Sequence, residues 1–302
     1  MHILVTGAQG LVGHDIIREL RHRGHRVTGC YHESGVPGED DIRLDITDPH
    51  AVREAIFRLR PEAVIHCAAW TAVDAAEDPE NQPKVRSVNV DGTRNLAQVC
   101  LDIGCKLLFF STDYVFSGQG TEPWTTECTE FAPCNLYGQT KLEAEQLITR
   151  LLDRYFILRI SWVFGSHGRN FVSTMLNLAR KYPTLRVVDD QVGNPTYTRD
   201  LARLTADMIG SDRYGLYHVS NEGECISWYE FAREIFRRAG TETNVIPVST
   251  QEYGLSKAAR PLNSRLDRSK LIQNGFRPLP HWQDALDRYL QEMKEHLWDT
   301  ST

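Results

Sequence analysis

Tyr137 and Lys141, four positions apart, are the pair in this 302-residue chain with the most chemistry to offer. On a helix that spacing puts both side chains on one face, where an ammonium lowers the pKa of a neighbouring phenol. A phenol brought from its usual value of about 10 toward neutrality can donate a proton to a carbonyl that is gaining a hydride. A developing oxyanion also needs a second donor. Thr112, in Ser111-Thr112-Asp113 at the end of an apolar run, is the candidate. Alone, Tyr-x-x-x-Lys reads as two surface residues on an amphipathic helix whose core face is Leu142, Leu147, Ile148 and Leu151. Two motifs upstream reverse that reading.

The first is Thr6-Gly7-Ala8-Gln9-Gly10-Leu11-Val12-Gly13, a glycine turn with G-x-x-G-x-x-G spacing after a short apolar strand. Such a turn lets backbone approach a pyrophosphate, whose charge then meets a helix N-terminus. Gly7, Gly10, Leu11, Val12 and Gly13 are therefore expected at a dinucleotide cofactor. Asp45 and Ile46, after the strand-like Ile42-Arg43-Leu44, are candidates for the edge and face of its adenine, and an ordinary strand end fits them equally. His66-Cys67-Ala68-Ala69 closes a strand with residues small enough for a cofactor to pass, although helix packing explains the alanines almost as well. Cys30-Tyr31-His32 offers no acid in register to bond ribose hydroxyls and repel a 2′-phosphate, with Glu33 close by. NADP(H) is favoured on that ground, with NAD(H) as the alternative.

The elements that must hold these residues alternate. His2–Thr6, Arg26–Cys30, Ala63–Cys67 and Lys106–Ser111 have the length and apolarity of strands. Leu11–Arg23, Pro49–Arg60 (opened by Asp48) and roughly Val85–Ile103 read as helices between them. This is the pattern of an α/β fold, a doubly wound parallel sheet of Rossmann type. Past about Leu158 the rhythm loosens. Asn170–Lys181, Thr198–Ile209, Trp228–Ala239 and Trp282–Leu297 look helical, while Leu185–Val188 and Leu216–Val219 look like strands. The expected division is a dinucleotide-binding domain over 1–157 and a smaller, intimately packed C-terminal substrate lobe over 158–302, with segments returning to the first.

Composition narrows the partners. Hydrophobic residues are 41% and charged residues 25%, the balance of a globular protein with a real core. A net charge of -6 leaves no basic field for nucleic acid or an anionic membrane. No run approaches a membrane span, and Met1 leads straight into a strand, without room for a signal peptide. The seven cysteines are odd in number, scattered and free of C-x-x-C pairs. They point to reduced thiols in the cytoplasm and not to a disulfide frame or a zinc site.

Five longer motifs sharpen this picture. They are Ala68-Ala69-Trp70-Thr71-Ala72-Val73-Asp74, Ser111-Thr112-Asp113-Tyr114-Val115-Phe116, Ser161-Trp162-Val163-Phe164-Gly165, Asp190-Gln191-Val192-Gly193-Asn194-Pro195-Thr196 and Arg260-Pro261-Leu262-Asn263-Ser264. With them the chain resembles, from Met1 to about Leu290, the dTDP-4-dehydrorhamnose reductase family of the extended short-chain dehydrogenase/reductases. The resemblance implies reduction of the C4 ketone of dTDP-4-dehydro-β-L-rhamnose, with Tyr137 and Lys141 as the catalytic pair and Thr112 on the carbonyl oxygen. It implies cofactor contacts from Ala68, Ala69 and Trp70. Substrate contacts would come from Thr71, Val73, Thr112, Asp113, Trp162, Asn170 and Arg260, the last by charge a diphosphate partner, although a surface arginine is the default reading for Arg260 and a buried structural tryptophan fits Trp162 equally.

Two departures are visible. Leu11-Val12 stands where many members carry Gln before an apolar residue, and the second strand lacks the acid of relatives that use either nicotinamide. Some relatives dimerise through an acidic Mg2+ site. Asp15 is the one acid to consider for that, but a solvated helix residue is the simpler reading, so no metal is expected and a homodimer stays open. Three other functions compete: a reductase of another dTDP-4-keto-6-deoxysugar; a non-catalytic subunit like the regulatory β subunit of methionine adenosyltransferase, which resembles the same family; and, as the lesser option, a redox-sensing binder that holds NADP without turnover.

Overall fold

The computed structural model describes residues 1–32 and 40–299, so Glu33 lies outside the described residues. The first half supplies β1 (His2–Thr6), α1 (Leu11–His22), β2 (Arg26–Tyr31), β3 (Ile42–Arg43), α2 (Pro49–Leu59) and β4 (Ala63–His66). There follow α3 (Val73–Ala76), α4 (Gln82–Arg86), α5 (Gly92–Ile103), β5 (Lys106–Thr112), α6 (Leu136–Leu151) and β6 (Tyr155–Ile160). The later chain continues with β7 (Val163–Phe164), α7 (Phe171–Ala179), β8 (Thr184–Val188), β9 (Val192–Gly193), β10 (Thr196–Tyr197), α8 (Thr198–Ile209), β11 (Gly215–Val219) and α9 (Trp228–Ala239) among its elements.

Seven strands form one parallel sheet in the order β11-β6-β5-β4-β1-β2-β3. The chain winds outward from β1 in one direction, then restarts at β4 in the other. The crevice at the C-terminal ends of β1 and β4 is thus the switch point where open α/β sheets bind ligands. All seven residues of β5 are buried, as expected of a strand covered on both faces. One face packs against α1, α8 and the helix Ser269–Gln273, and the other against α2, α5 and α6. A third core, built on Phe164, Tyr197, Phe231, Trp282 and Tyr289, holds the second lobe together.

The 157/158 boundary falls inside β6, and α8 and β11 belong to the sheet layer although they lie beyond it. The stretch read as one helix over Val85–Ile103 is composite: α4 and α5 are joined by a π-helical turn over Ser87–Asp91. β6 itself was not anticipated. Arg159 interrupts its apolar pattern, but the residue is buried with Nε and Nη2 of its guanidinium on Glu145, at 2.9 and 2.6 Å.

Candidate active site

The glycine turn is built for close approach. Gly7 has φ 65°, its carbonyl accepts the Gly10 N–H at 2.9 Å, and a Cβ on it would stand 2.7 Å from the Ala68 backbone nitrogen. A side chain on Gly13 would likewise run into the Gly7 carbonyl. The turn is moored by buried polar groups. Thr93 donates its hydroxyl to the Asn89 carbonyl (2.7 Å), so His66 donates from Nε2 to Thr93 (3.1 Å) and accepts the Thr6 hydroxyl at Nδ1 (2.8 Å). Burial keeps that imidazole neutral, with a pKa near 3. The Ala68 N–H completes the chain at Thr6 Oγ1. The N–H groups that open a helix, here α1, fit a diphosphate.

Tyr137 is held by a helix start. Asn135 caps α6, accepting the Gly138 N–H at 2.8 Å and donating to the Ala259 carbonyl at 2.8 Å. Gly138 brings the helix so near the turn after β5 that a Cβ would overlap the Tyr114 carbonyl. Thr112 caps that turn, accepting from the Tyr114 N–H and donating to Asp113 Oδ1, each at 3.2 Å. Lys141 is buried on the same face as Tyr137, its ammonium 3.9 Å over the Phe109 ring, with no ion pair among the described residues.

The electrostatics differ from the simple expectation that Lys141 lowers the phenol's pKa. Burial, helped by the Asp113 carboxylate, pushes the Tyr137 phenol up, and the Thr112 hydroxyl pulls the other way. Lys141 is the group brought near neutrality: burial lowers its ammonium to about 7, opposed by the charge of Glu145 one turn along. Burial also raises Asp113 to about 6.

These groups surround a cavity of about 520 Å³. Gly7, Gly10, Leu11, Val12, Gly13, Ala68 and Ala69 form one side, Thr112, Asp113, Tyr137 and Lys141 the foot, and Thr71 and Trp162 further wall. Two buried polar atoms here, Ser111 Oγ and Asp113 Oδ2, have no hydrogen-bond partner among the described residues. Orphaned groups of this kind call for an occupant. Trp162 holds a left-handed conformation (φ 50°) and stacks on Trp228 at 3.5 Å, lining the cavity while it packs against the third core.

Six expected residues are not brought to the cavity wall. Asp45 is half exposed and bonds Thr47 and His32, and Ile46 is packed in the core against Gly92. The Trp70 N–H is tied to Asn89 and its indole to the Ala72 carbonyl. Val73 opens α3, beside the wall but not in it. Asn170 is spent on capping α7 and on the Gly165 carbonyl. Arg260 grips Asp74 with two bonds of 3.0 and 2.7 Å, which holds that carboxyl down at about 2. Asp15 also departs from its reading: it is buried and accepts the Thr198 hydroxyl. Among the described residues no group of three or more His, Cys, Asp or Glu could hold a metal ion.

Other contributors had no local signal. Phe109 underlies Lys141. Asn89, in the π turn, ties Trp70 to the Thr140 hydroxyl beside Lys141, and π turns recur at functional sites. Arg169 and Trp228 line the far wall. A buried Asn inside a helical pattern was the one hint on offer.

Known proteins resemble this chain along nearly its whole length. The model of the RmlD substrate binding domain family matches residues 1–295. A dTDP-4-dehydrorhamnose reductase of Streptomyces griseus is 41% identical over 94% of this chain and 91% of its own length. A dTDP-4-keto-6-deoxy-D-glucose reductase of Streptomyces niveus is 36% identical over 94% of each. The crystal structure of dTDP-4-dehydrorhamnose reductase from Bacillus anthracis in complex with NADP superposes with a TM-score of 0.88 at 38% identity, covering 96% of this chain and 99% of that one.

Proposed function

The chain belongs to the RmlD substrate binding domain family of dTDP-4-dehydrorhamnose reductases, and on that premise we infer that it reduces the C4 ketone of dTDP-4-dehydro-β-L-rhamnose to dTDP-L-rhamnose with NADPH. The observation that carries the reading is the convergence of Thr112, Tyr137 and Lys141 at the foot of a cavity whose other side is the glycine turn. NADPH, when bound there, supplies the hydride. The turn holds its diphosphate through backbone N–H groups and the first turn of α1. Thr112, turning its hydroxyl from Asp113 to the substrate, donates to the ketone oxygen, and Tyr137 delivers the proton that the new alkoxide takes up. Lys141 holds the nicotinamide ribose and places a positive charge beside the phenol, which favours its ionised form as the proton leaves. Hydride and proton together convert the ketone to a secondary alcohol, and NADPH leaves as NADP+.

Loss of NADPH absorbance on adding dTDP-4-dehydrorhamnose, with dTDP-L-rhamnose recovered, is the expected result, and slower oxidation of NADH goes with it. Cofactor binding with no oxidation would overturn the reading. The Streptomyces niveus relative supports a second substrate, dTDP-4-keto-6-deoxy-D-glucose, to be run in the same assay. Seven free cysteines favour a cytoplasmic setting, and a homodimer is the assembly to seek by sedimentation. Among the described residues no helix is long and apolar enough to cross a membrane.

A further inference from the structure

We propose that Arg169 is the diphosphate clamp of this cavity. The inference rests on the reductase reading and adds to it a residue that the reading does not use. Among the described residues two cations line the cavity, Lys141 and Arg169. Lys141 is buried at the foot against Phe109, beside Tyr137. Arg260, the cation expected for a diphosphate, has both guanidinium arms on Asp74. Arg169 is exposed and makes no ion pair among the described residues, and its guanidinium has one long contact, Nε to Thr174 Oγ1 at 3.5 Å.

Its backbone is nevertheless fixed. Asn170 caps α7 reciprocally with Ser173 and donates to the Gly165 carbonyl at 2.7 Å. The His167 ring of the same loop stacks on His14 of α1 at 4.2 Å, with the planes 2° apart. The loop therefore sits against the first turns of the helix that the glycine turn opens. Backbone donors and a planar five-donor cation thus line one cavity, a pairing suited to a diphosphate. Both the dinucleotide and the nucleotide sugar carry one.

Tryptophan fluorescence reads the test, since Trp162 and Trp228 line the same cavity. Arg169→Ala, Arg169→Lys and the parent protein are titrated separately with dTDP, thymidine and NADPH. Loss of one charge-assisted contact at an exposed site should weaken dTDP about tenfold, leave thymidine unchanged and be partly restored by Lys. Weakening confined to NADPH keeps the clamp and assigns it to the cofactor. Unchanged affinity for both dTDP and NADPH overturns it, as does an equal loss for thymidine. Because dTDP has no ketone, a clamp found in a protein without turnover would leave Arg169 standing and sink the reductase reading alone.

Discussion

Asp113, Tyr137 and Lys141 lie together in a site too dry for all three to hold their ordinary charges. Each shift has burial as its first cause, so each has a pH window. Asp113 is an acid raised from 3.8 to about 6, so the folded protein holds a proton that the unfolded chain has released. The cost to stability is absent below the unfolded value and complete above the folded one. Asp113→Asn should therefore stabilise the protein at pH 7 by on the order of 2 kcal/mol, with the gain fading toward pH 4, while turnover drops. Urea midpoints at the two pH values measure it; a gain of equal size at both would mean the carboxylate is not the cause. Lys141 is a base lowered to about 7, so its ammonium is present below neutrality and lost above it. NADPH should bind more weakly as pH rises through 7. Lys141→Met should bind weakly throughout, and the difference between the two proteins isolates this group from the cofactor's own titration. Tyr137→Phe should lose about 10²–10⁴-fold in kcat with NADPH affinity nearly intact. Near-normal turnover in that variant would remove the phenol from the chemistry.

At the scale of elements, what could be read from the chain is what is local. Asp48 with Pro49 announces α2, because a cap and the N–H groups it satisfies lie within one turn. The glycine turn and the Tyr137–Lys141 spacing were legible for the same reason. β6 was not, because Arg159 breaks its pattern and the partner that permits burial, Glu145, lies on another element. The strand Asn244–Val248 contains Pro247 and pairs only with β8, a two-strand edge where proline is tolerated. Arg169 and Trp228 reach the cavity by tertiary folding alone. So does the bond from Asn135 to Ala259, which ties the start of α6 to a segment more than a hundred residues later. Asn135→Ala should cost about 1–2 kcal/mol, since it removes both the cap and the bridge. Asn135→Ser keeps an acceptor for Gly138 but has no donor to reach Ala259, so its urea midpoint should lie between the two. A Ser variant as weak as Ala would mean that the bridge, and not the cap, carries the stability.

For the molecule as a whole, the first 157 residues do not contain what their own core needs. Leu201, Met208, Ile209, Tyr217, Val219, Leu271 and Phe276 all pack into the cluster beneath β1 and α1. Polar ties follow the same path. Arg23, which caps α1, bonds Asp207 and the Arg203 carbonyl, Asp15 takes the Thr198 hydroxyl, and Lys106 at the start of β5 bonds the Ile209 and Ser211 carbonyls. A fragment ending at residue 157 also cuts β6 in half and strips β5 of its outer neighbour. It should therefore neither fold nor bind NADPH. In the intact chain, far-ultraviolet dichroism weighs the sheet layers, while tryptophan emission draws on the second lobe through Trp162, Trp228 and Trp282, beside Trp70 and Trp124 of the first half. Shared side chains couple the two, so both probes should report one urea transition. NADPH at a hundred times its Kd should move both by about 2.7 kcal/mol, because a ligand of the folded state stabilises everything that unfolds with its site. If the tryptophan transition stayed behind while the dichroism moved, the second lobe would be an independent unit, and the late strand and helix would be guests of the sheet and not part of its core.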